Sequence, residues 1–297
     1  MLNVLGVLGI VGNSINIAVL SQHRFRESTN IILISLSTSD LLFSMFLPVT
    51  RLKCLVSYID PALAVTVDTY VTVYFFMPKF VCLGTSFWYV GLIGIERFFA
   101  VIFPFHVAKI FTRRRVTCLT VSIFCFSFAI ISPTFFTLRC VWVFDSAFNR
   151  TVAIVDYTEF YLANQEFLDF YMWVGLNNLF CTLSFIVVCT CCFAIIVKLM
   201  RAAVKRELMT SRSGGYDVKV VKMLVTVCGI FVIVGIPTIT MYSYFKPNFI
   251  FVSPVHKLMS DIGDILFLAN ASSNFLVYVT MSSKFAKTYK TLFGCGQ

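Results

Sequence analysis

Five ionisable side chains stand inside long apolar runs: Asp40, Lys79, the adjacent Glu96 and Arg97, and Asp264. A charge in an apolar medium is costly and is retained where it is paired or used. Glu96 and Arg97 neutralise each other in the stretch GIERFFAVIFPFH at residues 94–106. Lys79 lies 18 residues before Arg97, about 27 Å away along one helix. The two cations therefore act at different depths. Asn13, Ser86, Asn270 and Asn274 add polar groups to the same apolar background. Other chemistries lack their parts. There is no glycine-rich phosphate cradle, HExxH or GxSxG motif, and His23, His106 and His256 all fall near connections. The run CTCC at 189–192 has metal-like spacing but no histidine or carboxylate beside it, so its thiols read as small apolar fillers. Catalysis is not expected.

These residues need elements that hold them in a bilayer. The chain is 59% hydrophobic and 13% charged, with mean hydropathy +0.88, whereas soluble domains carry about 25% charged residues. Apolar blocks run over approximately 2–20, 30–53, 68–99, 116–138, 168–199, 218–245 and 255–281. Each is long enough to cross about 30 Å of hydrocarbon. An all-α membrane protein is expected, one seven-helix bundle over residues 1–297. The first span begins at Met1 without a basic segment before it, so a cleavable signal is not expected and the N-terminus reads as truncated.

The net charge of +10 follows topology. Segments 21–28, 100–115, 198–222 and 282–297 hold 16 lysines and arginines, against six on the opposite side. That bias puts the basic side and the C-terminus in the cytoplasm and the N-terminus outside. Nucleic acid is not an expected partner. No inverted repeat is visible, which disfavours common transporter designs.

Motifs then identify a resemblance. GNS at 12–14, SLSTSD at 35–40, ERFFAVIFP at 96–104, FVIVGIP at 231–237 and NFLVY at 274–278 stand in the first, second, third, sixth and seventh spans. In this order the chain resembles rhodopsin-like (class A) G-protein-coupled receptors, in a divergent form similar to invertebrate chemosensory and neuropeptide receptors. Phe285 falls where that family has a membrane-surface helix, expected at about 283–294. The resemblance implies a heterotrimeric G protein inside, an extracellular ligand and a plasma-membrane location. It assigns activation to Glu96, Arg97, Asp217, Phe231, Pro237, Asn274 and Tyr278. Asp217 offers Arg97 a second acidic partner. Asp40, Ser86, Asn270 and Asn274 match residues that bind sodium in many such receptors. Their oxygens suit a small cation, and the alternative is a polar cluster that only packs helices. No other cofactor is implied.

Departures are visible too. Gly235 replaces a tryptophan two residues before Pro237, Phe275 replaces the proline of the seventh-span motif, no tryptophan marks the fourth span, and Thr72 stands at the usual outer cysteine. Cys54 and Cys140, at outer ends of spans, are the remaining candidate disulfide, with two free thiols as the alternative. Leu268 stands where opsins link retinal.

In this family the depth of Lys79 is the pocket floor. Arg51, Asp261 and Asp264 are expected to share that pocket, with a Lys79–Asp264 ion pair that a ligand carboxylate displaces; a purely structural pair is the alternative. Residues 139–169 carry net charge −3, a rim that favours cationic ligands or is ordinary loop solvation. Asn149 begins a glycosylation sequon and Cys295 is a candidate palmitoylation site. The ligand class is a peptide or small chemosensory molecule. A non-signalling receptor and a transporter are the rival readings.

Overall fold

The computed structural model describes residues 2–22, 28–207, 226, 228–237 and 254–294. Helix α1 is Leu2–Gln22, α2 Ser28–Val49, α3 Leu52–Val56, α4 Pro61–Ile102, α5 Pro104–Ile110 and α6 Arg113–Ile131. A 3-10 turn at Ser132–Phe136 leads into strands β1 (Leu138–Asp145) and β2 (Arg150–Tyr157). Short helices α7 (Glu159–Ala163) and α8 (Gln165–Asp169) precede wide π-helical turns at Phe170–Leu176 and Asn178–Thr182. Then come α9 (Leu183–Glu207), α10 (Cys228–Pro237), α11 (Pro254–Met281) and α12 (Ser283–Phe293). Among the described residues, six helical stretches are long and apolar enough to cross a membrane, and α10 is a shorter apolar helix.

The central pillar is α4. Asp60 caps its first turn by accepting from the amides of Ala62 and Leu63, and Pro61 occupies a position where a missing N–H costs nothing. At 42 residues it measures about 63 Å. It begins seven residues earlier than hydropathy alone suggests, because the cap rather than the apolar content sets its start. Helices α2, α6 and α9 and the hairpin pack around it. Its buried positions include Lys79, Ser86 and Glu96, so one rigid element carries polar groups at three depths.

At the other side, α1 packs on α2 and α11. A Cβ on Gly12 would stand 3.2 Å from Phe275 of α11, so glycine there permits the close approach. The Asn13 amide donates to the Ala271 carbonyl at 3.1 Å, tying α1 to α11. At the end of α11, Ser282 caps α12 through the Phe285 amide, and Gly294 closes it in a left-handed conformation with φ 66°. Phe275, which replaces the motif proline, faces Phe285 and Tyr289 of α12, with ring centroids 6.5 and 5.9 Å away. The position has exchanged a helix break for an aromatic seat.

The segment read from its charges as an acidic rim or a solvated loop forms an antiparallel hairpin, with Leu138 opposite Tyr157 and Asp145 opposite Arg150. Asn149 takes the positive φ of its turn, 49°. Strand β2 lies against α4. Thr69 donates to the Ala153 carbonyl at 2.8 Å, and the Ala153 amide donates to Thr66 at 3.2 Å. Arg150 pairs with the α4 cap residue Asp60 at 2.8 Å. The Leu63 amide and then Arg150 hold that carboxyl below its usual range.

This clamp corrects the expected disulfide. Cys54 and Cys140 are free thiols among the described residues. Cys54 is exposed on α3, whereas β-pairing seats Cys140 half-buried opposite Val155 of β2. Two threonine hydroxyls and an ion pair hold the hairpin to α4 instead. Thr69→Val should remove one hydrogen bond worth about 1 kcal/mol. Faster amide exchange across residues 150–157 is the expected result, and unchanged exchange would show that the hairpin is held by other contacts.

Candidate functional site

Three polar groups and one aromatic bridge stack along the bundle. At the hairpin end, Asp264 of α11 sits between two cations. Its Oδ2 lies 2.8 Å from Arg51, in the turn between α2 and α3, and its Oδ1 lies 3.2 Å from the Lys79 ammonium of α4. Arg51 also pairs with Asp261, one turn away on α11, at 2.5 Å. Lys79 and Asp264 are each only 2% exposed, so this is a desolvated pair rather than a surface one. The rings of Phe76 and Phe80 approach the Lys79 ammonium at 5.0 and 5.1 Å, adding cation–π attraction. The structure thus brings together Arg51, Lys79, Asp261 and Asp264. Their formal charges balance, and Asp264 is the shared partner.

Phe76 and Phe80 also line an apolar cavity of about 90 Å³ with Leu83, Phe87, Met172 and Phe180. Such a space takes a compact apolar group rather than a whole drug-sized ligand. Met77, Tyr161, Leu168 and Met172 pack together beside it. The wide turns of 170–182 supply Met172 and Phe180, a backbone form often used where helices shape a site.

Deeper in the bundle, Asp40 of α2 accepts from Ser86 of α4 at 2.6 Å and from the Asn274 amide of α11 at 2.8 Å. Each carboxylate oxygen has one donor among the described residues. Asn270 is buried one turn before Asn274. For a sodium ion, Asp40 and Ser86 present adjacent oxygens, whereas Asn274 presents its nitrogen. The first two fit a small cation, and Asn274 fits after its amide turns over. Tyr278 is buried, and its hydroxyl has no partner among the described residues.

At the opposite end, Arg97 is held twice. Its Nε stands 2.8 Å from Glu96 Oε2, an ion-pair contact off the N–H axis. Its terminal nitrogen donates to Glu96 Oε1 at 3.2 Å and to the Thr29 hydroxyl. Thr29, in the first turn of α2, in turn donates to Glu96 Oε1 at 2.7 Å. Sequence reading missed Thr29, because nothing local marks a threonine 67 residues from its partner. Asp217 and Cys295 lie outside the described residues.

Phe87 was missed as well. It follows Ser86 on α4, lines the cavity, and contacts Phe231 of α10 and Phe267 of α11, each with centroids 5.2 Å apart. Its signal was its place beside a buried serine in a phenylalanine-rich chain. Gly235 has a structural reason: a Cβ there would stand 3.2 Å from the Phe185 ring of α9. Phe185 occupies room that a tryptophan would need. Pro237 ends the described part of α10 and is exposed.

Comparison with known proteins agrees with this architecture. Residues 12–278 match the 7 transmembrane receptor (rhodopsin family). The chain is 24% identical over 99% of its length to the FMRFamide receptor of Drosophila melanogaster, and 22% identical over 96% to somatostatin receptor type 2 of Mus musculus. It is 24% identical over 97% to growth hormone secretagogue receptor type 1 of Mustela putorius furo. It spans about half the length of the first of these, 53%, and 74% and 78% of the other two. With five motif-bearing segments in order and a family match over residues 12–278, the chain belongs to the rhodopsin family of seven-transmembrane receptors, multi-pass membrane proteins that signal and are not enzymes.

Proposed function

We propose that this receptor is activated by an extracellular peptide at the hairpin end and passes that event to a heterotrimeric G protein at the Arg97 end, in the plasma membrane. The observation that carries the reading is the clamp on Arg97. A half-buried cation held by the buried Glu96 and by Thr29 at one end of α4 is suited to a restraint that opens when the partner binds. The lysine and arginine bias supports placing that end in the cytoplasm. Asn149 would then be extracellular, and its exposed position in the hairpin turn suits a glycan.

Relatives named for FMRFamide and somatostatin support a peptide over a small chemosensory molecule. The charge cluster refines this. A ligand acid would take Lys79 and Arg51 from Asp264, while a ligand base would take the more exposed Asp261. The acidic hairpin region favours the approach of basic peptides. The ligand acts by binding the open arrangement better than the closed one. A panel of amidated and free-acid peptides tests the class. Lys79→Ala should weaken a free-acid agonist by about 2–5 kcal/mol, the cost of truncating one member of a buried charge pair. Wild-type affinity in that variant would make Lys79 purely structural.

Asp40 and Ser86, with Asn270 and Asn274 near, are proposed to hold an allosteric sodium ion that favours the closed state. Asp40→Asn removes the charge while keeping the shape. Agonist affinity that falls with added sodium chloride, relative to potassium chloride, in the wild type and not in Asp40→Asn is the expected result. Equal sodium dependence in both proteins would overturn the assignment.

A further inference from the structure

The contacts between α9 and α10 follow an antiparallel register. Phe185 of α9 meets the position of Gly235 on α10. Seven residues forward on α9 and seven back on α10, the same register sets the thiols of Cys192 and Cys228 opposite each other. Seven residues are about two turns, so both contacts lie on the same facing stripes. The rotation of each helix is fixed independently. On α9, Val188 and Ile195 are fully buried and Cys191 faces Gly94 of α4, while on α10 Phe231 packs on Phe87. Cys228 is 2% exposed and sits in the main core with Phe231. Glycine at 235 removes the side chain that would keep the two backbones apart. Close approach matters because a disulfide needs Cα atoms within about 7 Å.

We propose that Cys192 and Cys228 are a reversible redox clasp between α9 and α10, closed by peroxide and opened by thiols. The oxidant is hydrogen peroxide, a small uncharged molecule that enters apolar surroundings. The sulfur of one cysteine attacks a peroxide oxygen, the O–O bond breaks, and a sulfenic acid forms as the released hydroxide takes up the thiol proton to become water. The second sulfur then attacks the first, the S–S bond forms, and the sulfenic hydroxyl leaves with the second thiol proton as another water. Two thiols are oxidised by two electrons, and one peroxide is reduced to two waters. On the same short run, Cys191 is turned to α4 instead, its Cβ facing Gly94. The reducing interior of a cell would reopen the bond, which makes the clasp a transient response to oxidant.

The test uses the full chain in lipid nanodiscs, treated with hydrogen peroxide, alkylated with N-ethylmaleimide and mapped without reduction. Fragmentation distinguishes the three cysteines of 189–192. A peptide linked from Cys192 to Cys228 is expected, present in Cys189→Ser and Cys191→Ser and removed by dithiothreitol. It should vanish in Cys192→Ser and in Cys228→Ala. The wild-type map decides the question even if a variant fails to fold. Complete alkylation of Cys192 and Cys228 at peroxide levels that oxidise exposed Cys54 would overturn the proposal. So would a wild-type link from Cys228 to Cys189 or Cys191.

Discussion

Asp264→Ala destabilises the receptor by about 3–5 kcal/mol, more than Lys79→Ala does. Removing one partner of a buried ion pair leaves an uncompensated charge, and that cost scales with burial. Without Asp264, the Lys79 ammonium keeps, among the described residues, the faces of Phe76 and Phe80. Without Lys79, Asp264 keeps Arg51 at 2.8 Å. The asymmetry follows from one carboxylate serving two cations. The double variant Lys79→Met with Asp264→Leu should recover most of the loss, because Arg51 retains Asp261. Thermal midpoints of the purified variants, with surface expression as a second readout, check the order. Equal losses for the two single variants would mean that Arg51 does not stabilise Asp264.

Glu96→Gln raises basal G-protein activation, and Arg97→Ala abolishes it while surface expression survives. Glu96 contributes both the charge facing Arg97 and the acceptor for Thr29. The amide keeps the shape and one acceptor oxygen but loses the charge that holds the arginine. Thr29→Val is the third arm. It removes the hydroxyl that links Arg97 to α2, and should raise basal activity less than Glu96→Gln because the ion pair remains. Basal activity unchanged in Glu96→Gln would mean that the acidic neighbour does not restrain Arg97.

Much of this was legible in the sequence. Long apolar runs located the spans because bilayer thickness fixes a minimum helix length, and scarce charges inside them marked the polar levels. Glu96 with Arg97, and Lys79 with Asp264, pair as charge and spacing suggest. What was hidden depends on three-dimensional register. Helix α4 starts at Pro61 because Asp60 caps it, a local signal that hydropathy smooths away. The hairpin was missed because both strands carry apolar residues on both faces and the turn, residues 146–149, lacks an Asn-Gly pair. Arg51 sharing Asp264 and Thr29 bridging Glu96 to Arg97 are long-range contacts of ordinary residues, and no spacing rule reaches them. Gly235 looked like a loss from the family pattern, yet Phe185 from another helix packs against its position.

The central claim is that this bundle turns an event at the hairpin end into nucleotide exchange at the Arg97 end. Its most direct test is the rate at which purified heterotrimeric G proteins take up a non-hydrolysable GTP analogue beside the full chain in nanodiscs, with and without each peptide of the panel. The account predicts uptake above that of G protein alone, raised further by at least one peptide and absent with Arg97→Ala. Uptake equal to G protein alone under every peptide, from folded receptor that binds one of them, would contradict it and identify a receptor that captures its ligand without signalling.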